Sequence, residues 1–360
     1  ASQNILSFSY TDNTSDKADD LCVEVADPQR TWMTRFIPGD VKKGIECTAS
    51  IRIEDWRAPM DTRPFECGIF FINSVHFAGP PNKVSIKASS IPPNGVKGTK
   101  KFKSWENTDL QGIAGEIAQA NGLTLFYDTQ QNPRVKRTDQ AEKSDLEYIR
   151  DRCKEAKLSM KIHKKQLVVY SEEEYEARPA RFTFRYGASN ILEFEFNTKN
   201  DDCYKSCTNC FTNPDTGAVT ETKFTDEDIE GTDAELWCNE GIEYEPDDDS
   251  MRNRMLVPLE EFSTISNFRD DDPSNNKGKG KGGRKNSGRK AKAKLREKNK
   301  KEHQCKIKTV GNIDLLSGLN VQTEGFGIFD KKWFIESSHH EIASGGYTTD
   351  LSLRGTLKGY

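Results

Sequence analysis

Histidine, methionine and long apolar runs are scarce in this sequence, and each scarcity excludes something. Five His and five Met occur among 360 residues. None of the histidines (His76, His163, His303, His339 and His340) falls in a zinc-protease helix motif. No nucleophile elbow, P-loop or dinucleotide fingerprint occurs. Gly278, Gly280, Gly282 and Gly283 lie in a Lys-rich stretch with no strand before them, so they do not form a phosphate-binding turn. No run approaches the roughly 18 apolar residues of a membrane-spanning helix. The amino-terminal stretch ASQNILSFSYTDNTSDK also has neither the basic nor the apolar region of a signal peptide. No membrane span and no conventional secretion are expected. A disulfide framework is missing too: the nine Cys, at 22, 47, 67, 153, 203, 207, 210, 238 and 305, are odd in number and scattered. They point to free thiols in a reducing cytosol.

What is present is polar but foldable. Charged residues make up 31% and hydrophobic residues 34%, with a mean hydropathy of -0.80. The 19 Phe, 10 Tyr and 5 Trp are too many for a disordered chain. The length suits two or three domains of roughly 100–200 residues each. The net charge of -4 conceals two opposed blocks. Residues 221–249 carry 13 acidic side chains and one Lys, and residues 277–301 carry 13 basic side chains and one Glu. The first half of the basic block, KGKGKGGRKNSGRK, has no apolar residue and reads as a mobile arm.

The first hundred residues alternate with the period of half-buried strands. Leu21, Val23 and Val25 share one face, as do Ile45, Cys47, Ala49, Ile51 and Ile53. Turn-forming segments (TDNTSDKADD, IPGD, AGPPN) separate these runs. An antiparallel barrel or strongly curved sheet is expected over about residues 3–100. Helical spacing follows at Leu110, Ile113, Ala114, Ile117 and Ala118, with Thr108 and Gln111 in capping-box positions and Gly122 as the stop. LTLFY reads as a strand, Ser144–Glu147 as a second capping box, and LSMKIHKKQLVVYS as a hairpin turning at Lys164–Lys165. Strands return from Arg181.

One internal repeat stands out. FINSVHF (71–77) with VSIKAS (84–89) matches FIESSHH (334–340) with LSLRGT (351–356), and each is preceded by a Gly-hydrophobic-Phe element. His76 and His339 occupy matched positions. A duplicated barrel is the expectation, the second copy being split by insertions. The fold class is mainly β with an α+β insertion. The domains are residues 1–102 (first barrel), 103–178 (α/β), 179–202 with 303–360 (second barrel), and 203–302 (insertion holding 221–249 and 277–301).

Cys203, Cys207 and Cys210 have the C-x3-C-x2-C spacing of an iron–sulfur site, and Cys238 completes four thiolates able to hold zinc. Along an extended strand, however, Cys203 and Cys207 share a face that Cys210 does not. The expectation is no metal and no cofactor, with these four as the only candidate ligands. No catalytic residue is assigned. The basic arm has the composition of a nucleic-acid or membrane-surface patch but lacks the aromatics that stack on bases. A solvated loop or docking onto the acidic block are the other readings of it. Residues AKAKLREKNKKEH suit a helix leading into a strand at Cys305. The thiols and the arm together support an alternative function, a metal- or nucleic-acid-binding protein.

In order, SYTDNTSDKADDL, RIEDW, ECGIFFINSVHFAGPP, KSWENTDLQGIAGEIAQANGL, KSDLEYIRDRCKEAKL, AKAKLREKNKKE, TVGNIDLLSGLNV, GFGIFDKKWFIES and GGYTTDLSLRG resemble the phage late control protein D family, the hubs of contractile tails. The Cys-rich strand at 203–210, the acidic 221–249 and the length of the basic arm depart from it. The resemblance implies two tube-like barrels, an inserted α/β domain and a ring, a homotrimer, at the end of the tail tube. Implied partners are the tail tube protein, the spike protein, other baseplate proteins and the tape-measure protein, with nucleic acid only as cargo in transit. The implied location is a virion or a tail-like particle such as a bacteriocin, assembled in the bacterial host cytoplasm. It implies a structural protein with no enzymatic residues. A peptidoglycan-degrading tail protein is the weaker alternative, since no acid/base constellation emerges.

Overall fold

The computed structural model describes residues 4–15, 17–35, 44–54, 56, 62–93, 99–187, 190–198, 206–212, 219–225, 296, 299–300 and 302–357. Residues 206–212, 219–225 and 136 are described by their backbone alone. The protein is mainly antiparallel β-sheet with a small α/β portion, the architecture expected from the alternating runs.

Strands β1 (Ile5–Asn13), β2 (Asp20–Ala26), β3 (Glu46–Ile53), β4 (Arg63–Ala78) and β5 (Lys83–Ser89) form the first unit, with the one-turn helix α1 (Thr31–Arg35) between β2 and β3. Their spatial order is β1-β2-β5-β4-β3. The α/β portion comprises β6 (Lys101–Asp109), α2 (Leu110–Ala120), β7 (Thr124–Asp128), β8 (Arg134–Lys143), α3 (Asp145–Glu155), β9 (Ser159–His163), β10 (Gln166–Tyr170) and α4 (Glu172–Ala177). Strands β11 (Phe182–Arg185) and β12 (Ile191–Thr198) follow, then the ribbon β13 (Ser206–Thr212) and β14 (Val219–Thr225). The chain closes with β15 (His303–Val310), β16 (Asn320–Glu324), β17 (Lys332–Ala343) and β18 (Gly346–Gly355).

The later strands repeat the earlier order as β12-β15-β18-β17, with β16 against β17. In both units the first strand neighbours the second, the second the fifth, the fifth the fourth, and the fourth the third. The correspondence extends to irregularities. β4 and β5 slip register between Ile72 and Ser74, and β17 and β18 slip between Ile335 and Ser337. β1 slips against β2 between Ile5 and Ser7, and β12 slips against β15 between Ile191 and Glu193. A bulge re-aims one residue and tightens the local twist, so matched bulges give matched curvature. The extra residues also do matched work: Asn73 donates to the Ser89 hydroxyl, and Glu336 pairs with Arg354 at the equivalent place.

The strand FINSVHF therefore aligns with FIESSHH as the sequence suggests, His76 facing Ser85 and His339 facing Asp350. The second half of that match shifts. Lys87 pairs with Ser74 and Ser352 with Ser337, so Val84–Ser89 corresponds to Thr349–Arg354 rather than to 351–356. The reason is the turn: Ala78–Lys83 closes the first hairpin, whereas its counterpart Glu341–Thr348 carries further pairs beyond it.

In the α/β portion, the Ser144–Glu147 capping box forms with both reciprocal hydrogen bonds. Replacing Ser144 by Ala should lower stability by about 1 kcal/mol, measurable by urea denaturation, and leave sheet content by circular dichroism unchanged. Lys164 and Lys165 adopt φ of 48° and 58°, the consecutive left-handed residues that a tight hairpin turn requires. The earlier cap moves by one residue. Thr108 remains in β6, paired with Val135, and the Asp109 carboxylate accepts from the Gly112 N–H instead. The β6–β8 ribbon and the helix α4 have no counterpart in the sequence reading. Leu110, Ile113, Ile117, Tyr148, Ile149 and Leu167 form the core of this portion.

Candidate functional site

The two units are edge-joined by main-chain hydrogen bonding, so one sheet runs through both. β1 pairs antiparallel with β17, from Phe8 opposite Ile342 to Asn13 opposite Ser337. Side chains reinforce the seam. Tyr10 stacks on His340 at 5.9 Å between ring centroids, and Thr11 Oγ1 lies 2.8 Å from His339 Nδ1. The first unit's core continues across it, taking in Ile313 and Tyr347 with Tyr10, Phe70 and Ile72. His340 is fully buried, with Ser338, Tyr347 and Thr349 around its ring nitrogens. Burial pushes its imidazole down to about 4, against an opposing pull from Asp12. His339 and His340 point to opposite faces, as their adjacency in a strand requires.

Two buried charge clusters tie the α/β portion to this sheet. In the first, Lys161 Nζ from β9 lies 2.7 Å from Asp12 and 3.6 Å from Asp19, and His163 Nδ1 lies 2.8 Å from Asp19. Asp12, Asp19 and His163 are the one set of metal-type ligands that converges among the described residues, their ligand atoms within 4.8 Å of one another. The Lys161 ammonium already supplies the positive charge there. Burial favours a neutral Asp12, but Lys161 and the Ser317 N–H hold its carboxyl below the usual range.

In the second cluster, Arg354 from β18 donates to Glu172 and Glu176 of α4, and its Nε lies 3.3 Å from Glu336. Arg296, at the end of the basic block, also donates to Glu176 and is buried. Burial would raise the Glu172 carboxyl; Arg354, Lys300 and the Ser159 hydroxyl outweigh it and bring it down to about 2. In both clusters each buried carboxylate has a cationic or hydrogen-bonding partner from another element, which fixes those elements in place.

The other candidate positions lie apart from these. Cys207 and Cys210 sit on β13, in register with Phe224 and Glu221 of β14. Cys203 and Cys238 lie outside the described residues, as do acidic residues 226–249 and the arm Lys277–Lys290. Cys22, Cys47, Cys67, Cys153 and Cys305 are free thiols, and burial pushes the Cys67 thiol up to about 12. Arg296, Asn299 and Lys300 retain a helical turn, with the Lys300 N–H on the Arg296 carbonyl. It is Arg296 and Asn299 that are buried there, because a carboxylate of α4 awaits the guanidinium.

Among the described residues, two stretches of open sheet edge are also of note. β12 ends the sheet at one side, and beyond Ile72 the side of β4 turned away from β5 has no strand partner among the described residues. Beside β12, Tyr186, Leu192 and Phe194 are exposed. Tyr186 and Phe194 pack with each other and with Phe326 at ring distances of 5.1–6.0 Å. Sheet edges with apolar flanks invite pairing with another chain. This surface was legible in principle: ILSFSYT (5–11) in β1 matches ILEFEFN (191–197) in β12, bulge included.

No protein-family model matches the sequence, and no curated protein matches it. Its fold does match solved structures. A tail protein from Neisseria meningitidis MC58 superposes with a TM-score of 0.63 at 11% identity, covering 98% of this chain and 92% of that one. The 43 kDa tail protein of prophage MuSo2 from Shewanella oneidensis gives 0.61 at 9% identity, covering 98% and 94%. An E. coli component of the type VI secretion system, itself structurally similar to T4 bacteriophage tail proteins, gives 0.57 at 9% identity, covering 99% and 75%. At these identities the likeness is one of fold, and the fold is that of phage tail proteins.

Proposed function

We propose that this protein is the structural hub of a contractile phage tail or tail-like injection particle, a ring joining the hexameric tail tube to the trimeric spike and lining part of the lumen. The observation that carries the reading is the duplicated five-strand unit within one continuous sheet. A six-fold tube and a three-fold spike are reconciled by a chain carrying two similar units, because three copies then present six. The fold shared with phage tail and type VI secretion proteins supports the same reading.

In this reading the tube-like barrels are residues 1–102 and 179–202 with 303–360, the α/β domain is 103–178, and 203–302 is an insertion in the second barrel. The assembled state is a homotrimer with closed three-fold symmetry, which hides sheet edges that are otherwise exposed. Its neighbours are the tail tube protein above, the spike protein below and other baseplate proteins around it, with tape-measure protein or nucleic acid passing through. The role is structural rather than enzymatic, in a particle assembled in the bacterial cytoplasm.

Imaging of the parent particle tests this. Three copies per tail tip are expected, between tube and spike. Six copies, one copy, or a position elsewhere on the particle would sink the reading.

A further inference from the structure

The α/β portion lies over one end of the β1–β17 seam and shares neither unit's core. Its apolar interior draws on residues 91–169 alone, and the cores of the two units hold no residue from 103–178. The contacts that reach from it to the seam are polar, and they converge where the pairing of β1 with β17 ends. Asp12 of β1 accepts from the Ser317 N–H of the second unit at 2.9 Å and from Lys161 of the α/β portion at 2.7 Å. Lys161 also donates to the Asn13 carbonyl at 2.9 Å. Thr14 donates its N–H and its hydroxyl to the Glu336 carbonyl of β17, while its own carbonyl accepts from the Tyr170 hydroxyl at 2.8 Å. Glu172 of α4 accepts from Ser15 of the first unit at 3.1 Å and from Arg354 of the second at 2.9 Å.

Asp12, Thr14 and Glu172 thus each join all three parts of the chain, and all three are buried, where hydrogen bonds are stronger than in water. The far end of the seam is closed differently. Beside the Ile342–Tyr347 pair, Trp56 of the first unit donates its indole N–H to the Gly311 carbonyl of the second at 2.8 Å, and its ring lies next to Tyr347. That end needs no help from the α/β portion.

We infer that the α/β portion is a strap across the seam: docked, it keeps the Asn13–Ser337 end of β1 and β17 paired, and its release lets that end open while both units stay folded. The residues paired there, Asp12 with Ser338 and Asn13 with Ser337, are polar. Opening that end therefore takes no apolar side chain out of a core, and the bonds of the strap are its main opposition. Local openings of this kind are governed by the few contacts that close them. Lys161 and Tyr170 are positioning residues in this device, acting on the seam through Asp12, Asn13 and Thr14. The strap is a property of the single chain and does not rest on the hub reading.

The test is amide exchange, residue by residue, in the purified full chain carrying Tyr170→Phe or Lys161→Met. Tyr170→Phe deletes one hydroxyl and keeps the ring, so the Thr14 amide and the nearest seam amides should exchange about 5-fold faster. Lys161→Met leaves Asp12 and Asp19 without their ammonium, and the same amides should exchange more than about 100-fold faster. In both variants the acceleration should be largest at Thr14 and fade toward Ile342, where Trp56 still holds. Amides that pair β4 with β5, and β15 with β18, should exchange as in the unaltered protein. Should Lys161→Met fail to fold, Tyr170→Phe decides by the same comparison. Faster exchange confined to the Asn13–Asp19 turn and the β9–β10 hairpin, with the β1–β17 amides unchanged, overturns the strap, because the seam then holds without it. Acceleration spread evenly over both units overturns it as well, because the contacts then serve the whole fold. Either failure leaves the hub reading intact, since that reading is decided by the copy count in the particle.

Discussion

Arg354→Ala should lower the stability of the protein by about 3–5 kcal/mol, the cost of breaking a buried ion pair and leaving its partners uncompensated. Arg354 is 1% exposed, with Glu172, Glu176 and Glu336 around its guanidinium. Removing it leaves the two carboxylates of α4 with Arg296 and the more distant Lys300 as their remaining cations. The expected signature in urea is a lower midpoint with an unchanged slope. The triple variant Arg354→Met, Glu172→Gln, Glu176→Gln should recover part of the loss, because it removes the charges as well as their partner. A loss below about 1 kcal/mol for Arg354→Ala would mean that water reaches the cluster.

Acid should weaken the fold well before its carboxylates titrate. An unfolded histidine takes up its proton near 6.5, whereas buried His340 resists until about 4. The unfolded state therefore binds more protons between those values. Stability from this source is fully present above pH 6.5 and is lost as pH falls toward 4, amounting to about 3 kcal/mol at about 1.4 kcal/mol per unit of pH. Glu172 continues the trend lower down: its contribution is whole above 4.5 and disappears toward 2. In His340→Phe the slope between pH 6.5 and 4 should flatten, although overall stability falls because Ser338, Tyr347 and Thr349 each lose one hydrogen bond. An unchanged slope in that variant would assign the proton uptake to another group.

What could be read from the residues depended on how local the cause was. The capping box at Ser144 and the turn at Lys164–Lys165 involve neighbours in the chain, and both form where the pattern places them. The α4 helix escaped because EEEYEA carries no apolar stripe. Its buried face is satisfied by Arg354, Arg296 and the Leu357 N–H, which only the tertiary fold delivers. Lys161 was likewise silent, since its carboxylates lie far back in the chain, Asp12 near the end of β1 and Asp19 in the turn before β2. The repeat was half legible. The fourth strands matched residue for residue, the fifth slid because one turn is longer, and the first strands agreed but went unnoticed. For the candidate surface, exposed aromatics beside β12 look like ordinary core residues until the sheet is seen to end there.

A single sheet running through both units also bears on how the molecule carries load. The β1–β17 seam is held by parallel rows of main-chain hydrogen bonds lying across the strands. A force along the strands must shear many of them at once, whereas a force across the sheet opens them one after another. The units meet at this seam by direct strand pairing, so a displacement of one is passed to the other through these bonds. Load placed on one unit therefore reaches the other through hydrogen bonds that share it, and the seam resists sliding along the strands better than opening across them.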